Sequence, residues 1–221
     1  MTASKPVVAA FDLDGTLTEG GSVGPWLRFL ADTMTLSKAM TRHLAHLTAG
    51  AILSGPTADK GKEQLFREIL EGRPYDEVAD LSRRFALEHL ATEQRPAVVA
   101  RLQWHLREGH DVVIVSASPE VYVSVVAEHF GAHGAIGTRL AVDEAGNLTG
   151  GYLGKNCRGE EKIRRLDEWI AARQYATTPE RYGYGNSRGD RRLLAAVEHP
   201  FDVGKLGAFG ALRSFPRLNS V

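Results

Sequence analysis

The sequence predicts an α/β protein, a Rossmann-like doubly wound parallel sheet interrupted by a helical insertion. Three observations carry this. The apolar run Pro6-Val7-Val8-Ala9-Ala10 lacks the alternation of a half-exposed strand and reads as a strand buried on both faces. A second such run, Asp111–Ser116, is followed by a helix signal, and strand and helix then alternate towards the C-terminus. From about residue 20 to 95 there are helices and loops and no strand pattern.

Taken in order, the first strand ends in Phe11-Asp12-Leu13-Asp14-Gly15-Thr16-Leu17-Thr18, and a glycine-rich stretch over residues 19–25 follows. A helix is expected from Trp26 to about Leu47, with Trp26, Leu27, Phe29, Leu30, Leu44 and Leu47 recurring near a 3.6-residue period; Trp26 and Phe29 read as packing residues. Gly50, Gly55 and Pro56 mark a loop over residues 48–57. Amphipathic helices are expected over Lys62–Leu70, Tyr75–Leu90 and Pro96–Glu108, the last stopped by Gly109. After the strand Asp111–Ser116, Ser118 reads as an N-cap with Pro119 at the first helical position and Glu120 in the first turn. Thr138–Val142 and Asn147–Leu153 bracket a short turn and predict a hairpin. Helices are then expected over Glu160–Arg173 and Arg191–Val197, with short strands at Tyr182–Gly185 and Phe201–Val203. In the tail, Leu206, Phe209, Leu212 and Phe215 recur every three residues and are expected to cover the core.

Composition bounds the function. The chain has 221 residues, 43% hydrophobic and 24% charged, which suits one full-sized core with a smaller insertion. Zero formal net charge argues against nucleic acid or an anionic membrane as partner. A single cysteine, Cys157, permits no intrachain disulfide and fits a cytoplasmic location. No apolar run approaches the roughly 18 residues of a spanning helix, and no signal segment is apparent at the N-terminus. Oligomeric state is left undetermined.

The chemistry begins at Asp12 and Asp14. Residues i and i+2 of a strand point the same way, so both carboxylates can converge above the strand's carboxyl end, where open α/β sheets bind ligands. Such a pair can hold a divalent cation and supply a nucleophile and an acid/base; it also suits an acidic strand end that merely enters a turn. Ser116, after four apolar residues and before a helix start, can receive phosphate oxygens with neighbouring backbone N–H groups. Lys162, one turn into its helix, can neutralise a phosphoryl group, with Lys155 as its competitor. Asp190 also suits the N-cap of the helix that follows it. His43, His46, His105 and His110 lack partners at metal-ligand spacing and read as surface or core residues.

Four segments in fixed order resemble the haloacid dehalogenase-like superfamily: DxDGT at Asp12–Thr16, Val112–Glu120 with Ser116, Gly159–Ile163 with Lys162, and Tyr184–Asp190. The resemblance implies a core over 1–19 and 109–221 with an α-helical cap over 20–108. It also implies a Mg²⁺-dependent phosphatase acting on a small-molecule phosphate ester. In it Asp12 would be nucleophile and metal ligand, and Asp14 acid/base with its backbone carbonyl on the metal. Ser116, Ala117 and Lys162 would bind the phosphoryl group, while Asn186 and Asp190 complete the metal site. Dehalogenases of the superfamily lack the second carboxylate, so Asp14 favours phosphoryl chemistry. The fourth motif departs from the usual Gly-Asp, having Gly185-Asn186 with Asp190 four residues on; an amide oxygen is a neutral ligand.

The helical insertion, the second motif and the hairpin look like the phosphoserine-phosphatase-like subgroup. Its substrate residues match less well, with Ala117 and Ser118 where glycines are usual and Gly21 near the position of a substrate-binding glutamate. Phosphoserine is thus disfavoured, and the ester is left open among those of the subgroup, such as histidinol phosphate and phosphocholine-like compounds. A phosphotransferase or phosphomutase of the same fold, and a phosphate-binding regulatory protein, are the alternatives.

Overall fold

A computed structural model describes residues 5–31, 56–205 and 209–218, with side chains in the second segment from Gly61. Its centre is a five-stranded parallel sheet in the order β3-β2-β1-β6-β7. The strands are β1 (Val7–Phe11), β2 (Asp111–Pro119), β3 (Gly134–Thr138), β6 (Glu180–Gly185) and β7 (His199–Asp202). Strands β4 (Leu140–Val142) and β5 (Leu148–Tyr152) form a separate antiparallel hairpin. The fold class is the expected one.

Both faces of the sheet are buried, which is why β1 and β2 read as unbroken apolar runs. Ala9, Phe11, Val112 and Ile114 face one cluster, with Leu13 and Leu17 beyond the strand end; Val8, Ala10, Val113 and Val115 face the other. The helices are α1 (Val23–Leu30), α2 (Pro56–Leu70), α3 (Tyr75–Glu93), α4 (Pro96–Arg107), α5 (Glu120–Phe130), α6 (Glu160–Ala171) and α7 (Arg191–Ala195). The larger cluster continues into α1, α2 and α3 through Trp26, Leu27, Phe66, Leu70 and Phe85. Trp26 is fully buried and donates from Nε1 to Ser82 Oγ (2.8 Å), the packing role expected of it.

Several boundaries differ from expectation. Helix α1 ends at Leu30, where Ala31 turns extended, and α2 has begun by Pro56. The rest of the helix expected to Leu47, most of the 48–57 loop, His43, His46 and Leu206 lie outside the described residues. Strand β2 runs through to Pro119, so Ser118 caps nothing and α5 starts at Glu120. The stretch expected as one strand over Thr138–Val142 is divided: Thr138 ends β3 of the main sheet, and Leu140 begins the hairpin. In the tail Leu212 is buried, but Phe209 is 91% exposed and does not cover the core. Among the described residues no helix is long and apolar enough to cross a membrane.

Connectivity fixes where a site can form. From β1 the chain passes to β2 and β3 on one side, then returns to β6 and β7 on the other. This reversal is the topological switch point, and the crevice at the carboxyl ends of β1, β2 and β6 is its consequence.

Candidate active site

Asp12 follows directly on β1, and its N–H donates to the Tyr184 carbonyl of β6 (2.9 Å). Phe11 pairs with Ile114 on β2 and Tyr184 on β6, so the segments after all three strands meet at one place. Lys162 comes up from the first turn of α6, which opens at Gly159 with φ 57°. Its Nζ donates to Asp12 Oδ1 and Asp190 Oδ1, both at 2.6 Å. All three residues are buried, at 5% exposure or less. Lys155 is exposed, so of the two lysines it is Lys162 that folding brings to the aspartates.

Asp190 does not cap α7 with its side chain. Its Oδ2 turns back to accept from Ser187 Oγ (2.8 Å), Ser187 N (3.0 Å) and Asn186 N (3.3 Å), within a capping box opened by Ser187. Gly185 makes room for this: a Cβ there would lie 2.5 Å from that of Asp190. Asn186 packs over Gly15, which has φ +74° and where a Cβ would fall 2.1 Å from Asn186 Nδ2. The glycine of the first motif thus serves both the turn and the close approach of the fourth. Thr16 joins the two, donating to Asp12 Oδ2 at 3.0 Å and lying 3.3 Å from Asn186 Oδ1.

Asp14 points elsewhere. Its Oδ1 accepts from the Ser22 N–H (2.7 Å) and its Oδ2 from Ser118 Oγ (2.5 Å). Ser118, expected only as a cap, is therefore a direct partner of Asp14; the nearby carboxylate takes its hydroxyl while Pro119 keeps the chain extended (ψ 127°). Ser116 is buried, and its Oγ accepts from the Ser118 N–H (3.1 Å). Ala117 turns its carbonyl towards Thr138 and Lys62. Thr16, Ser22 and Ser118 were not singled out as site residues. Thr16 is marked by its place in DxDGT and Ser118 by its place in the second motif, but it is folding that brings Ser22 and Ser118 to Asp14.

The charges do not balance. Burial, and then the neighbouring Asp190, push Asp12 up to about 7 against the opposing pull of Lys162. Burial alone would lower the Lys162 ammonium, yet Asp12 and Asp190 overcompensate and hold it above its ordinary range. Two buried carboxylates share one lysine beside the Asn186 amide oxygen. Among the described residues no three Asp, Glu, His or Cys side chains cluster as metal ligands. Two carboxylates with neutral oxygens fit Mg²⁺, which keeps several waters and uses few protein carboxylates.

The mouth of this crevice is a cleft of about 590 Å³ bordered by Asp14, Gly15, Glu19, Asn186 and Lys205, with Lys205 Nζ 2.7 Å from Glu19. A separate groove of about 520 Å³ between α3, α5 and the hairpin holds none of the residues above.

A family model described as haloacid dehalogenase-like hydrolase matches residues 9–195. The chain belongs to that family. Among relatives of this hydrolase, Protein CicA of Caulobacter vibrioides is 30% identical over 200 residues, covering 88% of this chain and 84% of that protein. A histidinol-phosphatase of Neisseria meningitidis is 29% identical over 213 residues, 89% of each chain. The crystal structure of a protein of unknown function from Bordetella pertussis Tohama I matches with a TM-score of 0.81 at 22% identity, over 99% of this chain and 100% of that one. A substrate-bound phosphoserine phosphatase matches with a TM-score of 0.62 at 16% identity, over 90% and 86%. These structural likenesses establish the hydrolase fold.

Proposed function

We propose that this hydrolase is a phosphatase that cleaves small phosphate monoesters through a phosphorylated Asp12. The observation that carries the reading is the Asp12–Lys162–Asp190 chain at the switch point, with Asp14 beside it on separate hydrogen bonds. Uncatalysed phosphate-monoester hydrolysis is among the slowest of reactions, and its catalysis rests on positioning and charge neutralisation.

An Asp12 carboxylate oxygen attacks phosphorus, the ester P–O bond breaks, and Asp14 gives a proton to the leaving alcohol. Water then attacks the same phosphorus, Asp14 takes its proton, and the Asp12–phosphorus bond breaks to release phosphate. Lys162 and the Ser116 hydroxyl hold the phosphoryl oxygens, with the Ala117 backbone beside them. Thr16 keeps Asp12 oriented, and Ser118 and Ser22 do the same for Asp14. Mg²⁺, held by Asp12, the Asp14 carbonyl, Asn186 and Asp190, would neutralise charge on the transferred group.

Within the 20–108 cap segment, α1–α3 act as the lid over the crevice, because α4 packs on β1 and β2. A reducing cytoplasm is the compartment we assign, consistent with a lone, buried Cys157. The near full-length similarity to a histidinol-phosphatase makes histidinol phosphate the first ester to assay.

The test is phosphate release from histidinol phosphate, phosphoserine, phosphocholine and sugar phosphates in Mg²⁺. Asp12→Asn should lower turnover by at least about 10³-fold, and EDTA should abolish it reversibly. Release that survives Asp12→Asn would remove the covalent mechanism. Binding of phosphate and Mg²⁺ without release from any ester would favour a phosphate-binding protein.

A further inference from the structure

Lys62 of α2 reaches the peptide between Ala117 and Ser118. Its Nζ donates to the Ala117 carbonyl at 2.6 Å and to Asn156 Oδ1 at 3.2 Å. Its ammonium also lies 5.4 Å from the Phe66 ring centre and 5.8 Å from that of Tyr152, each a cation–π contact. The Thr138 hydroxyl, with one proton to give, stands 2.7 Å from both the Ala117 carbonyl and Asn156 Oδ1.

The N–H of that same peptide belongs to Ser118, and it donates to Ser116 Oγ. A charged donor on a carbonyl polarises the whole amide and strengthens the bond its N–H makes, as in any hydrogen-bonded chain at low dielectric. Ser116 Oγ then uses a lone pair on the Ser118 N–H, and its own proton is left to donate to an incoming oxygen.

We infer that Lys62 is a positioning residue that couples the seating of α2 to the phosphate grip of Ser116, through the Ala117–Ser118 peptide. This rests on the reading of Ser116 as a phosphate-binding group. Lys62 itself need not touch the phosphate; it sets the hydroxyl that does. The site therefore grips phosphate fully only when α2 is seated on the core.

A double-mutant cycle read by calorimetry of inorganic phosphate binding to the full chain in Mg²⁺ tests this. Lys62→Met should weaken phosphate binding about tenfold, the scale of one charge-assisted bond. In a Ser116→Ala background the same change should cost less than about twofold. An equal loss in both backgrounds, or none in either, overturns the coupling. If Lys62→Met does not melt cooperatively, Lys62→Gln, which keeps a neutral donor, replaces it in the cycle, with a coupling of the same sign and about half the size in free energy. A parent protein that binds phosphate yet hydrolyses no ester overturns the hydrolase reading alone; one that hydrolyses esters while the cycle is additive overturns the relay alone.

Discussion

At the scale of residues, the site is built from charge that folding forces together. Asp12 and Asp190 sit in the interior on either side of Lys162, and leaving one member of such a group unpaired typically costs about 3–5 kcal/mol. Asn186 is the neutral member, placed against Gly15 and beside Thr16. Asn186→Asp adds a third carboxylate to a cluster already one cation short. The Mg²⁺ concentration for half-maximal activity should fall several-fold, while the variant in EDTA should melt below the parent. Mg²⁺ titration of turnover and thermal melts with and without EDTA measure both. A higher Mg²⁺ requirement would argue against Asn186 as a ligand. Asp12, Asp14, Ser116, Lys162, Asn186 and Asp190 were each visible in the sequence, because each belongs to a short motif at a strand end or helix start. Ser118 was visible only as a helix cap. Its real partner, Asp14, lies 104 positions away, and no local pattern shows that the hydroxyl faces a carboxylate.

At the scale of elements, α2 packs directly on the hairpin strand β5. Gly150, on β5, has φ +74°, and a Cβ there would come within 2.3 Å of the Arg67 Cα on α2. Gly150→Ala should therefore cost about 1–3 kcal/mol and move α2 off the hairpin, since backbone cannot yield as a flexible side chain does. Because Tyr152 of the same strand lies against Lys62, kcat/KM should fall as well. Chemical denaturation and steady-state kinetics on one preparation would test this; a variant with unchanged stability refutes the close approach. Elements were readable where their periodicity was long, as in α3 and α4. The division of Thr138–Val142 was not, because a strand that leaves one sheet and enters a hairpin keeps the same alternation throughout.

At the scale of the molecule, an aromatic stack lies behind Asp12. Phe11 stacks on Tyr184 at 4.2 Å between ring centres, and Tyr184 on Phe201 at 5.1 Å. The Tyr184 hydroxyl accepts from Arg101 Nε (2.9 Å) and lies 2.8 Å from His105 Nε2. On the other side of the ring, His105 Nδ1 lies 2.8 Å from His110 Nδ1. Burial, followed by His110 and Arg101, lowers His105 to about 3 from its ordinary 6.5. The unfolded chain thus binds a proton that the folded one refuses. The stability that follows is fully present above about pH 6.5 and is lost as pH falls towards 3. Between pH 7 and pH 4 His105 should account for about 3 kcal/mol of that loss. His105→Gln should be less stable at pH 7 yet lose about that much less on acidification. Urea unfolding at the two pH values decides it, and parallel losses would show that His105 is not the group responsible.

The sequence by itself determined the doubly wound sheet and marked the residues to which we assign the chemistry. Buried parallel strands must be apolar throughout, and the carboxylates, serine, lysine and amide stand at element ends, where local composition reveals them. Only the tertiary structure decided which of them touch. Lys162 rather than Lys155 lies between the aspartates, Ser118 serves Asp14 instead of a helix, and Lys62 of α2 reaches the Ala117 carbonyl. Those choices depend on how α2, α6 and the hairpin pack against the sheet. That packing is set by contacts between residues far apart in the chain, which no local pattern encodes.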